Sequence, residues 1–481
     1  MINSSHKELS QTLQPYSLTL ELKTESDKIK KITVPFQSRC HGTITGDSQK
    51  TRPVLYAAMT ADLEEKLRND ALRKQKLEEL KRGGNTILPL PEEEIQDQYN
   101  RICDQYRTCC LIVVAPDNQL CDAAARLAIS HGVEPRIIDA TLEGDRLAEF
   151  GQYAVGLNPF NLPECVKEDA PNYLIKTAEN TLTVLSEVAP ERMKTDEPSI
   201  DALKEKLMTA IVFITTLHCQ YVSKYDADWV EVHLVATGFG ILKKLLDELE
   251  TQAEENSALL KILQSEKGKA IVDFTRNQLA ALHDPVTNEC LSDIRAAILK
   301  LFQNPSLEQF LDMPAEKNID LLRSFDDGNM IIVNYGLKEN TIVVGLLFQL
   351  MVAQAMLYRP HVLPLKYHFT PVFEYINNIH PLLPENWLEQ IMALGRKYDV
   401  ALLCSMPTQT QPVTDPKEAY IRDLLFSNRM IVSLAPSDYE LEYFKKNFLN
   451  EKDLELLQKK QESIIFYGVE ENETYFKTKG I

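Results

Sequence analysis

Two short apolar runs constrain the fold of this chain more than any other feature of its sequence. They lie in Cys110–Ala115 (CLIVVA) and in Asn329–Tyr335 (NMIIVNY). Uninterrupted apolar runs of this length are typical of parallel strands that are covered on both faces. A helical pattern over Gln119–Ser130 follows the first run and leads to another short strand at Arg136–Asp139. A strand–helix–strand unit of this kind predicts an α/β fold with a parallel sheet.

The α/β pattern is interrupted once along the chain. From about Pro171 to Pro314 strand signals disappear and helical spacing continues, which predicts an inserted all-α unit. We therefore predict a polar tail over residues 1–15, an all-α domain over 171–314, and two halves of one sheet domain over 16–170 and 315–481. Further strands are predicted at Ser17–Leu22, Lys31–Pro35, just before Gly46, Tyr367–Phe373, Val400–Ser405, Arg429–Leu434 and Ser463–Tyr467.

Composition narrows the class of protein. The net charge is −18, which argues against coating of nucleic acid over the whole surface, because phosphate binding needs clustered Lys and Arg. The nine cysteines form no CxxC pair and the histidines no HExxH, so a disulfide framework and a metal hydrolase are both disfavoured. The N-terminal residues lack a signal-peptide pattern. The apolar stretch Thr341–Tyr358 is short and contains two glutamines, which predicts a buried core helix in a cytoplasmic protein.

A strand, a glycine turn, Lys-Thr and a helix are predicted over His41–Arg52 (HGTITGDSQKTR), the layout of a phosphate-binding loop. In such a loop the Lys contacts phosphates and the hydroxyl residue binds Mg²⁺. Gln49 stands where a glycine is needed, and Asp47 places a negative charge where phosphates should lie. An ordinary strand–turn–helix explains the segment equally well. The candidate nucleotide-binding residues are Gly46, Ser48, Lys50 and Thr51, with Thr51 also the candidate metal ligand.

Two further residues are candidates for catalysis. Glu374 follows the strand predicted at Tyr367–Phe373 and could act there as a general base. Arg396, at the end of a predicted helix, could reach the γ-phosphate of a neighbouring subunit. The alternatives are a strand-end acid with structural partners for Glu374, and a cation that pairs with the helix macrodipole for Arg396.

The order of these segments resembles the HerA–FtsK superfamily, and within it the TraG/TraD-like coupling ATPases of conjugation and type IV secretion. The resemblance covers nearly the whole chain from about Tyr16. It implies a RecA-like P-loop sheet flanked by helices, with an inserted all-α domain, and it implies ATP and Mg²⁺ as cofactors. The segments that carry it are HGTITGDSQKT, CLIVVAPDNQL, GLNPFNLPE, IDLLRSFDDGNMIIVNYG and VFEYINNIHPLLPENWLEQIMALGRKYDVALL.

The nucleotide motifs depart from the family pattern together, because the loop glycines are gone and Phe373-Glu374 stands for an Asp-Glu pair. We therefore expect a degenerate homologue, a pseudoATPase that serves as a structural or adaptor subunit of a DNA or protein transfer apparatus. Its expected partners are secretion or conjugation subunits, including an active paralogous ATPase, in a homo- or hetero-oligomer at the inner face of the membrane. In this interpretation ATP and Mg²⁺ binding is not expected.

Two alternative functions stay open. One is an active P-loop ATPase motor that drives DNA or protein translocation, and the other is a DNA-binding scaffold without hydrolysis. A ring of backbone N–H groups around Gly46–Thr51 would favour nucleotide binding, whereas a turn filled by Asp47 or Gln49 would favour the degenerate homologue.

Overall fold

The chain forms two compact units. Unit 1 comprises Met1–Pro135, Arg323–Val333 and Leu365–Ile481, and unit 2 comprises Arg136–Leu322 and Asn334–Pro364. The computed structural model describes residues 17–23, 29–35, 41–83, 92–280, 284–303, 305–311, 313–336, 341–362, 369–379, 385–426, 428, 430–434, 437–447, 462–469 and 472–479. The tail predicted over residues 1–15 lies outside the described residues.

The strands lie close to their predicted positions, with one shift and one addition. In chain order they are β1 (Ser17–Lys23), β2 (Ile29–Pro35), β3 (Gly42–Thr45), β4 (Cys110–Ala115), β5 (Arg136–Asp139), β6 (Met330–Asn334), β7 (Val372–Ile376), β8 (Val400–Met406), β9 (Met430–Ser433), β10 (Glu462–Val469) and β11 (Asn472–Lys479). The strand predicted at Tyr367–Phe373 is wrong in position, since β7 begins only at Val372. No strand was predicted at β11.

Unit 1 is built on one sheet in which the strand order is β11-β10-β9-β3-β8-β7-β4-β6. Strand β3 is parallel to β8 and β9, and β7 is parallel to β4 and β8. The carboxyl ends of β4, β7, β8, β3 and β9 therefore meet at one edge. Strands β10 and β11 extend the sheet as an antiparallel pair. This is the predicted RecA-like parallel sheet, with β3 between the two later strands β8 and β9.

The helices are, in chain order, α1 (Ser48–Gly83), α2 (Glu92–Gln105), α3 (Asn118–Ser130), α4 (Gly144–Phe150), α5 (Ala170–Val188), α6 (Pro190–Met193), α7 (Pro198–His218), α8 (Trp229–Ala236), α9 (Phe239–Glu255), α10 (Ser257–Gln264), α11 (Glu266–Ala280), α12 (Pro285–Phe302), α13 (Pro305–Leu311), α14 (Leu321–Asp327), α15 (Ile342–Val362), α16 (Glu385–Leu394), α17 (Pro416–Phe426) and α18 (Asp438–Asn447). Between β5 and β6 the described elements are all helical, as predicted for the insert. The boundaries at residues 171 and 314 stay a prediction.

The helical spacing that predicts the insert runs through two short breaks between helices. The pattern over Trp229–Thr251 is broken between α8 and α9, where Gly238 precedes the second helix. The pattern over Ala258–Leu282 is broken at Ser265, between α10 and α11. The shorter helices bury faces in the same core, so the apolar spacing continues through both breaks. Periodicity alone therefore did not reveal the breaks.

The sheet of unit 1 is covered by helices that bury small and branched side chains. Every residue of β4 is buried. Helix α1 begins directly after β3 and buries Leu55, Ala58, Met59 and Leu63. Helix α3 buries side chains at the same helical spacing, namely Leu120, Cys121, Ala124, Ala125 and Ala128. Burial of each large apolar side chain contributes about 1.5–3 kcal/mol, so these contacts hold the carboxyl edge of the sheet in place.

Helix α15 of unit 2 is both long and apolar. Its segment Ile342–His361 is long and apolar enough to cross a membrane, but 83% of its most apolar window is buried inside the protein. Gln354 accepts a hydrogen bond from Asn180 at 2.8 Å and donates to Thr177 Oγ1 at 2.9 Å, so its buried amide is paired with α5. These contacts are those of a core helix.

Strand β8 and the end of α16 are joined in unit 1 by a buried histidine. His41 Nδ1 accepts the Leu402 N–H at 3.1 Å, and the ring also hydrogen-bonds to the backbone of Ile391. Burial lowers the pKa of His41 to about 4, so the ring is neutral at pH 7. A Cβ atom at Gly395 would lie 2.7 Å from His41 Cε1, which explains the glycine at this helix end.

Unit 1 should lose stability as the pH falls from about 6.5 towards 4. In that range the unfolded chain protonates His41 while the folded protein does not, so the free energy of unfolding should fall by about 3 kcal/mol. Denaturant unfolding at several pH values would measure this slope. His41→Gln retains an acceptor for the Leu402 N–H and removes the titration, so its slope should be flatter. Equal slopes for the two proteins would show that the titration of His41 does not cause the pH dependence.

Candidate functional site

The turn between β3 and α1 is filled by its own aspartate. Asp47 Oδ1 accepts the Gln49 N–H at 2.8 Å, and the Asp47 carbonyl oxygen accepts the N–H groups of Lys50 and Thr51 at 2.8 and 2.9 Å. Asp47 thus acts as the N-cap of a 36-residue helix. A carboxylate is favourable here because the N-terminus of a helix carries a partial positive charge.

Gly46 has a structural role at the same turn. Its N–H donates to the Met406 carbonyl oxygen at 3.1 Å, which continues the pairing of β3 with β8. A Cβ atom at Gly46 would lie 3.0 Å from Leu434 Cβ. The glycine is therefore required by the close approach of this chain segment, and its amide is committed to the sheet.

The other three candidate residues of this turn lie in the first turn of α1. Ser48 is the first residue of the helix. Lys50 is exposed, and no ion pair of its ammonium group is seen among the described residues. Thr51 is buried, and its hydroxyl oxygen lies 3.5 Å from Asn377 Oδ1. The structure thus separates the solvent-facing Lys50 from Thr51, which belongs to a buried polar network.

The network centres on Asn377, which follows the last residue of β7 and is fully buried. Its Oδ1 accepts the Ser405 hydroxyl hydrogen at 2.9 Å, and its Nδ2 donates to Asp117 Oδ2 at 3.0 Å. Ser405 Oγ also accepts the Asn378 N–H at 2.9 Å. One amide side chain therefore connects the carboxyl ends of β4, β7 and β8 with the start of α1.

Asp117 joins this network to a cation. It lies two residues after β4 and caps α3, where its Oδ1 accepts the N–H groups of Gln119 and Leu120 at 3.0 and 3.3 Å. Arg52 Nη1 lies 3.5 Å from the same oxygen and also donates to the Gln119 side chain. Both charged side chains are partly buried, with 17% of Arg52 and 26% of Asp117 exposed.

Glu374 does not lie at this edge. It is the middle residue of β7, in register with Ile112 of β4 and Leu402 of β8, and it is fully buried. Its neighbour Tyr375 donates a hydrogen bond to Asp62 of α1. Because side chains alternate along a strand, Tyr375 faces α1 and Glu374 points to the opposite face of the sheet. The residues that follow the strand, where Glu374 was expected, are Asn377 and Asn378.

Arg396 lies in the single 3-10 turn Gly395–Tyr398 that follows α16, and its side chain is exposed. The structure does not bring it into the network of Asn377. Its proposed role at a neighbouring subunit and the plain helix-end role both stay predictions.

A second buried carboxyl group lies beside β3. Glu440 of α18 accepts the Gln409 N–H at 2.9 Å, and the hydroxyl oxygens of Ser433 and Thr45 lie 3.2 and 3.3 Å from it. Burial raises the pKa of Glu440. This side chain ties the loop after β8 to the ends of β3 and β9.

The residues around Thr51 do not fit a magnesium ion. Magnesium in nucleotide sites is held by carboxylate and hydroxyl oxygens with near-octahedral geometry. Here the residue opposite Thr51 is an amide, and the carboxylate that reaches this network, Asp117, is occupied by Asn377, Arg52 and the cap of α3. The described residues also contain no group of three His, Cys, Asp or Glu side chains that could hold a metal.

Sequence reasoning missed four members of this network: Arg52, Asp117, Asn377 and Ser405. Two signals were available. The apolar residues of VFEYI continue past Glu374, which places the strand end at Ile376, directly before Asn377. Asp117 stands between a buried strand and a helix, a position typical of a capping residue.

Comparison with known proteins gives structural matches only. No family model matches the sequence, and no curated protein matches it. The chain is similar to the structure of VirB4 of Thermoanaerobacter pseudethanolicus, with a TM-score of 0.43, 11% identity, and coverage of 97% of this chain and 96% of that one.

The chain is also similar to the plasmid coupling protein TrwB. The TrwB complex with the non-hydrolysable GTP analogue GDPNP matches with a TM-score of 0.38 and 14% identity over 77% of this chain and 85% of that one. The unbound monoclinic form of the bacterial conjugative coupling protein TrwBdeltaN70 matches with a TM-score of 0.37 and 13% identity, over 77% and 78%. Identities and TM-scores this low do not establish membership of a family.

Replacement of Asn377 by leucine should lower the free energy of unfolding by about 2–4 kcal/mol. The substitution preserves volume but leaves Ser405 and Asp117 without their buried partner, and unsatisfied buried polar groups cost about 1–3 kcal/mol each. Urea unfolding would measure the change. Gln411→Leu, on an exposed loop after the same edge, is the control and should change stability by no more than about 0.5 kcal/mol. Equal effects of the two substitutions would show that the network contributes little.

Proposed function

We propose that this chain is a degenerate homologue of the coupling ATPases of type IV secretion and conjugation, and that it serves as a structural or adaptor subunit without turning over ATP. The sequence resemblance to these ATPases is the reason for assigning the chain to a secretion or conjugation apparatus. The partners are other subunits of that apparatus, including an active paralogous ATPase, in a homo- or hetero-oligomer on the cytoplasmic side of the membrane. Residues 171–314 form the inserted helical domain in this proposal.

The carboxylate of Asp47 is the observation that carries the proposal. A nucleotide-binding loop must offer unpaired backbone N–H groups to phosphate. Here the Gln49 N–H donates to the Asp47 side chain, and the Gly46 N–H donates to Met406. To bind here, a triphosphate would have to displace the Asp47 carboxylate, which already stabilises the start of α1.

The opposite side of the site supports the same conclusion. Mg²⁺ that accompanies a nucleotide needs a carboxylate close to the hydroxyl of Thr51, and Asn377 stands there. Glu374, the only carboxyl group of β7, faces away from α1, so it has no access to a water molecule at Thr51. Neither cofactor is therefore part of the proposed function.

Calorimetric titration of the full chain with ATP and Mg²⁺ should give no saturable binding at millimolar nucleotide. Lys50→Ala should behave like the parent, because Lys50 has no bound phosphate to contact. Micromolar binding by the parent with Mg²⁺-dependent turnover, both lost in Lys50→Ala, would establish an active motor instead.

Glu374→Gln provides an independent control for the motor alternative. In a motor that uses Glu374 as its base, this substitution blocks hydrolysis and traps bound ATP. Because Glu374 lies on the other face of the sheet, we expect no retained nucleotide in either protein.

A further inference from the structure

The end of α1 and the whole of α2 form a pair of antiparallel helices in unit 1. Asn69 of α1 donates a hydrogen bond to the carbonyl oxygen of Arg107, just after α2, at 3.2 Å. Helix α2 packs mainly against α1, so the chain runs outward along α1 and returns along α2. We call residues 71–83 of α1 together with α2 the helix pair.

The seam between the two helices is apolar and open to solvent. Ile95, Tyr99 and Ile102 recur on α2 at the spacing of one helix face, and Leu77 and Leu80 do so on α1. Ile95 is 38% exposed and Tyr99 45% exposed, while the other three are half-buried. Helices of this length are stabilised chiefly by packing of their apolar face, and two helices alone leave one side of that face uncovered.

The two helices of the pair carry opposite net charge. Residues 71–83 contain five basic and two acidic side chains, whereas α2 contains five acidic side chains and one arginine. Lys74 and Lys81 are both exposed, and their separation of seven residues places them on one flank of α1. Glu94 is exposed on α2. A surface with one basic and one acidic helix is complementary to a second copy of itself.

We propose that the helix pair is a self-association surface, on which two copies of this chain pack as a four-helix bundle. A two-fold axis along the helices places α1 of each copy beside α2 of the other, so both basic–acidic contacts form at once. The exposed faces of Ile95 and Tyr99 then share one buried seam. A single foreign helix could match the charge of α1 or of α2, but not of both. This inference rests on the proposed function, because it names one interface of the oligomer proposed there.

Sedimentation of the full chain over a range of concentrations tests the seam. We expect the parent to dimerise and Ile95→Glu to weaken dimerisation at least about tenfold, because the variant would bury a carboxylate between apolar side chains. Leu260→Glu is the matched control, since Leu260 of α10 is 37% exposed and Ile95 is 38% exposed. This control should dimerise like the parent, and circular dichroism would show that both variants keep their helices.

The charge of the helix pair is tested separately with NaCl. Added salt should weaken the dimer of the parent, because it screens attraction between exposed charges. Lys74→Glu/Lys81→Glu places carboxylates beside the acidic α2 of the second copy, so it should dimerise more weakly than the parent and recover part of the loss in salt. Lys206→Glu/Lys269→Glu changes the net charge equally at exposed lysines of α7 and α11, and it should behave like the parent.

Several results would overturn the inference. One is a parent that stays monomeric up to about 100 μM, because a specific interface should associate below that concentration. Another is a parent oligomer of any size that Ile95→Glu leaves unchanged, or that Leu260→Glu weakens equally. If Ile95→Glu does not fold, the lysine variants decide, and equal salt dependence of the parent and Lys74→Glu/Lys81→Glu contradicts the proposal.

Failure of this inference can be told apart from failure of the proposed function, because sedimentation needs no nucleotide. A monomeric parent that binds no ATP keeps the degenerate homologue and overturns only the self-association surface. A dimeric parent that binds and hydrolyses ATP, with its dimer weakened by Ile95→Glu, overturns the proposed function and keeps the surface.

Discussion

The buried amide of Asn377 is the interaction on which the carboxyl edge of the sheet depends. Parallel strands end in backbone groups and loops that must find partners, and in this unit one side chain links the ends of three strands to the first turn of α1. An amide suits this place because it donates and accepts at once, so the Asp117 carboxylate and the Ser405 hydroxyl are both satisfied. The apolar faces of α1 and α3 supply the burial energy, and the polar network determines how the loops above the sheet are arranged.

Much of the fold follows from patterns that a single sequence carries. The run CLIVVA is typical of a covered strand, and β4 lies where that run lies. The loss of strand signals after residue 171 likewise predicted a helical insert. The predictions failed where two signals compete. In VFEYI a glutamate interrupts the apolar pattern, so the strand end was expected three residues too early. In β11 (NETYFKTK) only the adjacent residues Tyr475 and Phe476 are apolar, so neither a continuous apolar run nor an alternating pattern marks the strand.

The site was harder to predict because its function depends on which side chains meet. Periodicity can show that Glu374 is in a strand, but the face on which it lies depends on the strand's start, and a shift of one residue exchanges the two faces. Asp117 and Arg52 are separated by 65 residues, and nothing in the sequence around either of them indicates that they form a pair. The role of Asp47 was visible in part, since its charge conflicts with phosphate, but its identity as a helix cap required the geometry of the turn.

The cap of α1 has a consequence for any assembly in which this chain takes part. In an ATP-driven ring each working subunit changes its loop contacts as the γ-phosphate arrives and leaves. In the proposed adaptor role, a subunit whose loop is closed by its own aspartate would have no such event to respond to, so its surfaces would stay constant while its neighbours pass through their cycle. In that role the subunit would offer fixed surfaces against which the moving subunits generate force.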